Sequence, residues 1–196
     1  MHNEKQIQRD LDHLFAAPEP QGINCYFGRV DEGAILAAEA TIGLSFPPSY
    51  RLFLQRFGVA MYCEVSIYGI YPEEAAYDFI RLNVVENTDF LRTSGLLEVL
   101  PPHQRCPPIE KAIQLAASDL DNSLDPEQVI SIAHDENGVS YYLDYTHLVD
   151  GEPPVVAISG YFGPSVAARN FLEFLQILVQ SEGSPNPFGL YIQEVN

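Results

Sequence analysis

This sequence predicts an α+β domain: one mixed, mainly antiparallel sheet with a central hairpin at 129–144, flanked by helices. The first sign is Asn137-Gly138. Set between two runs rich in alternating side chains, that dipeptide is the strongest short-range hairpin signal. The second is the order of patterns: helical stripes first, strand-like runs next, and an amphipathic stretch near the end. Blocks of that kind point to α+β rather than to repeated βαβ units. The third is a hydrophobic share of 46%, enough for a substantial core, without the run of eighteen apolar residues that a membrane span needs.

Residues 3–15 read as an amphipathic helix with Ile7, Leu11 and Leu14 on one stripe. Two prolines and a glycine make 16–22 a connector, and an extended piece follows around Cys25. Asp31 suits the N-cap of a helix to Ile42, with Gly43 at its left-handed end. Pro47-Pro48 forces a link, and Pro48 fits the first turn of the next helix. There Tyr50, Phe53, Leu54 and Phe57 fall at helical spacing on a core-facing stripe. Residues 61–71 are β-branched and aromatic, one strand or two short ones around Gly69. Pro72-Glu73-Glu74 starts a helix running towards Arg92. A proline-rich loop occupies 94–108, a further helix 109–117, and an acidic stretch 119–127. Residues 155–159 make a strand and 166–180 the last helix, striped by Phe171, Phe174, Leu175 and Leu178.

With Asn137-Gly138 as a two-residue loop, Glu136 faces Val139, His134 faces Tyr141 and Ile132 faces Leu143. Side chains alternate along a strand. One face then carries Ile130, Ile132, His134, Tyr141, Leu143 and Tyr145. The other carries Ser131, Ala133, Asp135, Ser140, Tyr142, Asp144 and Thr146, mostly polar or small.

Charge narrows the function. Ten basic residues against 27 acidic ones give −17, a field that repels nucleic acid and anionic membranes and favours basic partners. Residues 1–111 hold nine Lys/Arg and fifteen Asp/Glu, a net of −6; residues 112–196 hold Arg169 and twelve Asp/Glu, a net of −11. Such asymmetry suggests an interaction surface, against the plain reading of acidic solubility. Cys25, Cys63 and Cys106 are odd in number and far apart, as expected of reduced thiols in a cytoplasm. The first residues lack the pattern of a signal peptide.

Asp119-x-Asp121-x-Ser123-x-Asp125 imitates the opening of a calcium loop, but Leu124 replaces the required glycine and Ile130 the closing glutamate. An acidic solvated loop fits better, and no metal or cofactor is expected. His134 and His147, with Asp135, Glu136 and Asp144 near them, could be drawn into a metal site. His134 on an apolar hairpin face reads instead as a half-buried core histidine. Asp135 and Asp144 on one face would make an acid/base pair, a common accident on an acidic surface. Neither a nucleophile elbow nor a phosphate-binding glycine loop is present.

Several pieces, taken in order, resemble the SUKH superfamily, which includes bacterial immunity proteins and a fungal cell-wall-synthesis regulator. They are Glu39 with Gly43-Leu44, Pro47-Pro48 with Tyr50-Arg51-Leu52-Phe53-Leu54, and Ile67-Tyr68-Gly69. Ile132-Ala133-His134-Asp135-Glu136-Asn137-Gly138, Leu143-Asp144, Pro154-Val155 and the helix from Phe171 to Leu175 complete the pattern. Phe57-Gly58 stands where Asn-Gly often follows the Tyr-Arg helix, and the usual tryptophans are absent. The resemblance covers roughly 31–180. It implies a mixed sheet flanked by helices and a binding role, often against a toxin that is frequently a nuclease.

The expected organisation is an N-terminal helix and connector at 1–22, a SUKH-like domain at 23–183 and a tail at 184–196. The expected function is a non-catalytic cytoplasmic immunity protein that neutralises a basic toxin domain, such as a nuclease, through an acidic surface. A regulatory or scaffold module of the same fold and a small hydrolase are the alternatives. Partner-binding residues expected in the hairpin loops are Asp119, Asp121, Asp125, Glu127, Asp135, Glu136, Asp150 and Glu152. Tyr68, Tyr71 and Tyr142 are expected as aromatic anchors.

Overall fold

The computed structural model describes residues 4–16, 23–25, 28–71, 82–94, 124–159, 164–181 and 183. Its elements are α1 (Glu4–Ala16), β1 (Ile23–Cys25), α2 (Glu32–Ile42), α3 (Pro48–Phe57), β2 (Ala60–Tyr62), β3 (Val65–Ile67) and α4 (Val84–Thr93). A 3₁₀ turn (Pro126–Gln128) leads into β4 (Val129–Asp135), followed by β5 (Val139–Asp144), β6 (Val155–Ser159), β7 (Ser165–Ala168) and α5 (Phe171–Gln180). The fold is α+β. The seven strands lie in the sheet in sequence order, each antiparallel to the next. Among the described residues the parallel component of the expected mixed sheet is one isolated bridge, Gly69 to Asn83.

Local chemistry sets the helix ends. The Asp31 carboxylate accepts from the Ala34 amide at 2.8 Å, and Gly43 closes α2 at φ 81°. A capping side chain of this kind is worth about 1 kcal/mol. Pro48 occupies the first turn of α3, as its missing N–H allows. Asn83 caps α4 and Asn170 caps α5. The last helix therefore starts at 171, later than its hydrophobic pattern suggests, and residues 165–168 pair with β6 instead. The cue is Asn170-x-x-Glu173: Asn170 accepts from the Glu173 amide, while the Glu173 carboxylate reaches back to the Arg169 amide.

Both faces of the sheet are covered. On the first, Tyr50, Phe53, Phe171, Phe174 and Tyr141 lie at the centre of the main core, which Ile7 and Leu11 of α1 join. Arg51 bridges Glu32 and the buried Glu39, and Glu39 also accepts from the Phe46 amide at 2.7 Å. On the second face Val129, Tyr142, Val156, Ile158 and Val166 pack with Leu91 of α4 and with Leu124. The Thr88 hydroxyl on α4 accepts from the Ser131 amide at 3.1 Å.

That second cluster corrects the expected polar face, which α4 covers, and a bulge changes which residues of β4 share it. The pairs are Ile130 with Leu143, Ser131 with Tyr142, Ala133 with Tyr141 and His134 with Ser140, the register shifting between Ser131 and Ala133. The loop has three residues, Glu136 to Gly138, instead of two. Among the described non-glycine residues only Cys63 and Asp150 have positive φ, whereas Gly138 sits at 79°. This is the turn-plus-left-handed-residue hairpin rather than type I′. Residues directly paired share a face. Ile132 and Ala133 therefore both reach the main core, and His134 lies opposite Tyr141's face, not on it. The turn between β2 and β3 likewise falls at Cys63-Glu64, not at Gly69.

Gly69 has a different task. A β-carbon there would collide with the carbonyl oxygen of Gly58, and one at Gly58 would collide with the carbonyl of Gly28. Three backbone segments thus pass at a distance only glycine allows. Gly69→Ala should cost about 3 kcal/mol, since the obstacle is backbone and not a movable side chain. Urea unfolding measures this; a loss below about 0.5 kcal/mol would mean the crossing is not tight.

Candidate interaction surface

Hairpin geometry divides the expected binding residues between two ends of the sheet. At the tip, Glu136 is exposed and its amide donates to the Glu64 carbonyl at 3.2 Å. Asp135 is only 8% exposed. Its Oδ1 accepts from the Asn137 and Val139 amides at 2.9 and 2.8 Å, and the Tyr141 hydroxyl lies 3.5 Å from Oδ2. Asp135 therefore holds the loop closed rather than facing outward. The other end gathers Asp125, Glu127, Asp150 and Glu152. At about 3.3 Å per residue, the seven residues of β4 separate the two ends by roughly 20 Å.

The second end is tightly fastened. Asp125 caps its 3₁₀ turn by accepting from the Glu127 amide at 3.0 Å. Arg92 donates to the carbonyls of Ile42, Pro126 and Glu127 at 2.7, 3.0 and 3.2 Å. The fully buried Asp144 accepts from the Thr146 amide at 2.8 Å and from His147 Nδ1 at 3.0 Å. The Tyr145 hydroxyl donates to the Ser45 carbonyl at 2.6 Å. Val149 and Glu152 exchange two backbone hydrogen bonds around Asp150 and Gly151, at φ 52° and 82°. Positive φ at both positions marks a type I′ turn.

The model of the SMI1 / KNR4 family (SUKH-1) matches residues 29–177. The chain belongs to this family. Membership supports a protein-interaction role, in immunity or regulation, in a family that is generally non-catalytic. No curated protein gives a significant match.

In this SUKH-1 domain two of the expected aromatic anchors are packed away. Tyr68 and Tyr142 are 6% and 7% exposed, and burial pushes both hydroxyls above their usual pKa. Tyr71 is partly exposed. Asp119 and Asp121 lie outside the described residues, as do the expected helix at 109–117 and most of the calcium-like loop. Among the described residues no three His, Cys, Asp or Glu side chains gather as metal ligands, and no helix is long and apolar enough to cross a membrane. His134 and His147 stand at opposite ends of the hairpin, so the imagined site through both does not form. Asp135 and Asp144 are likewise at opposite ends, and on opposite faces. Sequence reasoning missed Arg92, whose role rests on distant carbonyls that leave no local pattern.

His134 is half-buried against the Tyr68 ring, centroids 5.4 Å apart, and its Nδ1 has no hydrogen-bond partner. Burial lowers its pKa from 6.5, while Asp135 and Glu136 pull the other way. The unfolded chain thus takes up this proton more readily than the folded one. Its contribution is complete above pH 6.5 and is lost as pH falls through the lower folded value. His134→Phe should flatten that decline in thermal melts between about pH 7 and 5. Parallel declines in both proteins would assign the acid sensitivity elsewhere. At the tip, Gly138→Val should cost about 1–3 kcal/mol through backbone strain alone, because a β-carbon there meets nothing within 4 Å. An unchanged urea midpoint would remove positive φ as a constraint.

Proposed function

We propose that this chain is a non-catalytic cytoplasmic immunity protein that neutralises a basic toxin domain, such as a nuclease, through its acidic loops. The observation that carries this reading is the charge of the second half. Residues 112–196 hold twelve acidic groups and one basic one, and that one, Arg169, is gripped by Glu173 at 2.8 Å. Family membership supports a protein partner. A nuclease cleft binds polyanions, so an acidic surface competes for the same basic groups.

The exposed acidic groups bear on this role unequally. Asp125, Glu127 and Asp150 are exposed together at one end, and Glu136 stands at the other with Glu64. Asp119 and Asp121 belong to the proposed surface on sequence grounds. Charges of this kind raise association rates more than they slow dissociation.

With the product of the adjacent gene tested as the basic partner, reversing Asp125, Glu127 and Asp150 to lysine should slow association about tenfold at low salt. The difference should shrink at 0.5 M salt, where screening is short-ranged, about 4 Å. Stopped-flow or biolayer kinetics checks this. An on-rate indifferent to both salt and the reversals would rule out electrostatic steering, and absence of binding by the native chain would rule out the immunity role.

A further inference from the structure

We propose that residues 145–152, centred on His147 and Leu148, are the part of this protein that reads its partner. The partner would present an apolar pocket rimmed by lysine or arginine. The inference rests on the binding role proposed above and names the surface that performs it.

The two acidic ends of the sheet are not equivalent. Among the described residues three large apolar side chains are exposed: Leu36, Phe90 and Leu148. The first two lie on helices α2 and α4. Leu148, 56% exposed, lies in the loop that also carries Asp150 and Glu152. At the hairpin tip no described side chain of that kind accompanies Glu64 and Glu136.

His147 adds direction. A carboxylate accepts hydrogen bonds, so the bond to Asp144 Oδ2 places a hydrogen on His147 Nδ1. The His147 side chain is 32% exposed and Asp144 is wholly buried. Asp144 therefore acts from inside the fold as the orienting group and fixes the ring, with Nε2 on its far edge. Asp150 and Glu152 share the loop of His147, and Asp125 and Glu127 lie at the same end of the sheet, where the Tyr145 amide donates to the Gln128 carbonyl. Arg92 is engaged by three carbonyls and by Glu127 at 3.7 Å, Arg169 by Glu173. That complementarity calls for a basic rim around the pocket taking Leu148. The loop is already fixed by Tyr145, Asp144 and the Val149–Glu152 pair, so binding would order little that is not ordered beforehand. A central anchor ringed by polar contacts is the usual pattern of binding energy at protein interfaces.

The test uses the full chain and the protein encoded by the adjacent gene. His147→Ala and Leu148→Ser should each speed dissociation at least about tenfold with little change in on-rate, while Glu64→Lys at the tip should leave dissociation within about twofold. Thermal melts guard against misfolding, and chemical-shift mapping on the native chain gives a footprint that needs no variant. Nitrogen shifts of His147 should report hydrogen on Nδ1 before binding and a perturbed Nε2 after it. A footprint on the tip, or dissociation unchanged in both loop variants, overturns this inference and leaves the immunity role standing. No binding by the native chain overturns both, as would a response only to anionic vesicles or to nucleic acid.

Discussion

Tyr50 is where the helical layer is fixed to the sheet. Its ring is fully buried, edge-on to Phe46 and Phe171 at 5.1 and 4.8 Å and stacked on Phe53 at 6.0 Å. A phenol in that position must find an acceptor, because leaving the hydroxyl unpaired costs about 1–3 kcal/mol. It donates to the carbonyl of Tyr68 at 2.8 Å, one residue beyond β3. The next residue is Gly69, pressed against Gly58 at the end of α3. One side chain and one glycine contact thus hold the same helix to the same strand. Burial raises the Tyr50 pKa well above its ordinary value, so the hydroxyl stays a donor wherever the fold persists.

Much of this architecture could be read from residue order. Asp31, Gly43 and Pro48 mark helix ends by chemistry that acts within four residues, and each does so in the structure. The failures share a cause. The second face is buried because α4, more than thirty residues upstream, packs on it through Leu91 and Thr88, a contact with no local sequence signal. The bulge at Ile132 then switches the faces of Ala133 and His134. The start of α5 was obscured because Val166 and Ala168 satisfy a helical stripe and an edge strand equally well. Only pairing with β6 decides between them.

The proposed binding surface was legible in charge but not in shape. Composition shows that the second half is acidic; it cannot show that β4 holds Glu127 and Glu136 at opposite ends. Nor does sequence distinguish a carboxylate that closes a loop, as Asp135 does, from one that faces solvent, as Asp150 does. Tyr68 and Tyr142 have the composition of interface anchors and the burial of core residues. The difference between those fates lies in what packs on each face: Tyr142 lies under α4 and Tyr68 joins the main core.

The simple strand order carries a consequence for how the chain folds. Among the described strands β2 with β3, and β4 to β7, are local meanders able to form from neighbours in sequence. β1 reaches β2 only after α2 and α3, and between Ile67 and Val129 the chain travels through residues 68–128 before the sheet resumes. Joining β3 to β4 closes the longer of these two loops, and its entropic penalty comes due before the contact rewards it. The slowest pairing is then expected at the seam between β3 and β4. The seam runs through Val65, Ser66 and Ile67 on one side and Asp135, His134 and Ala133 on the other. Substitutions there would change the rate at which the two sides meet, while those in the outer strands would act mainly on how fast the finished sheet comes apart.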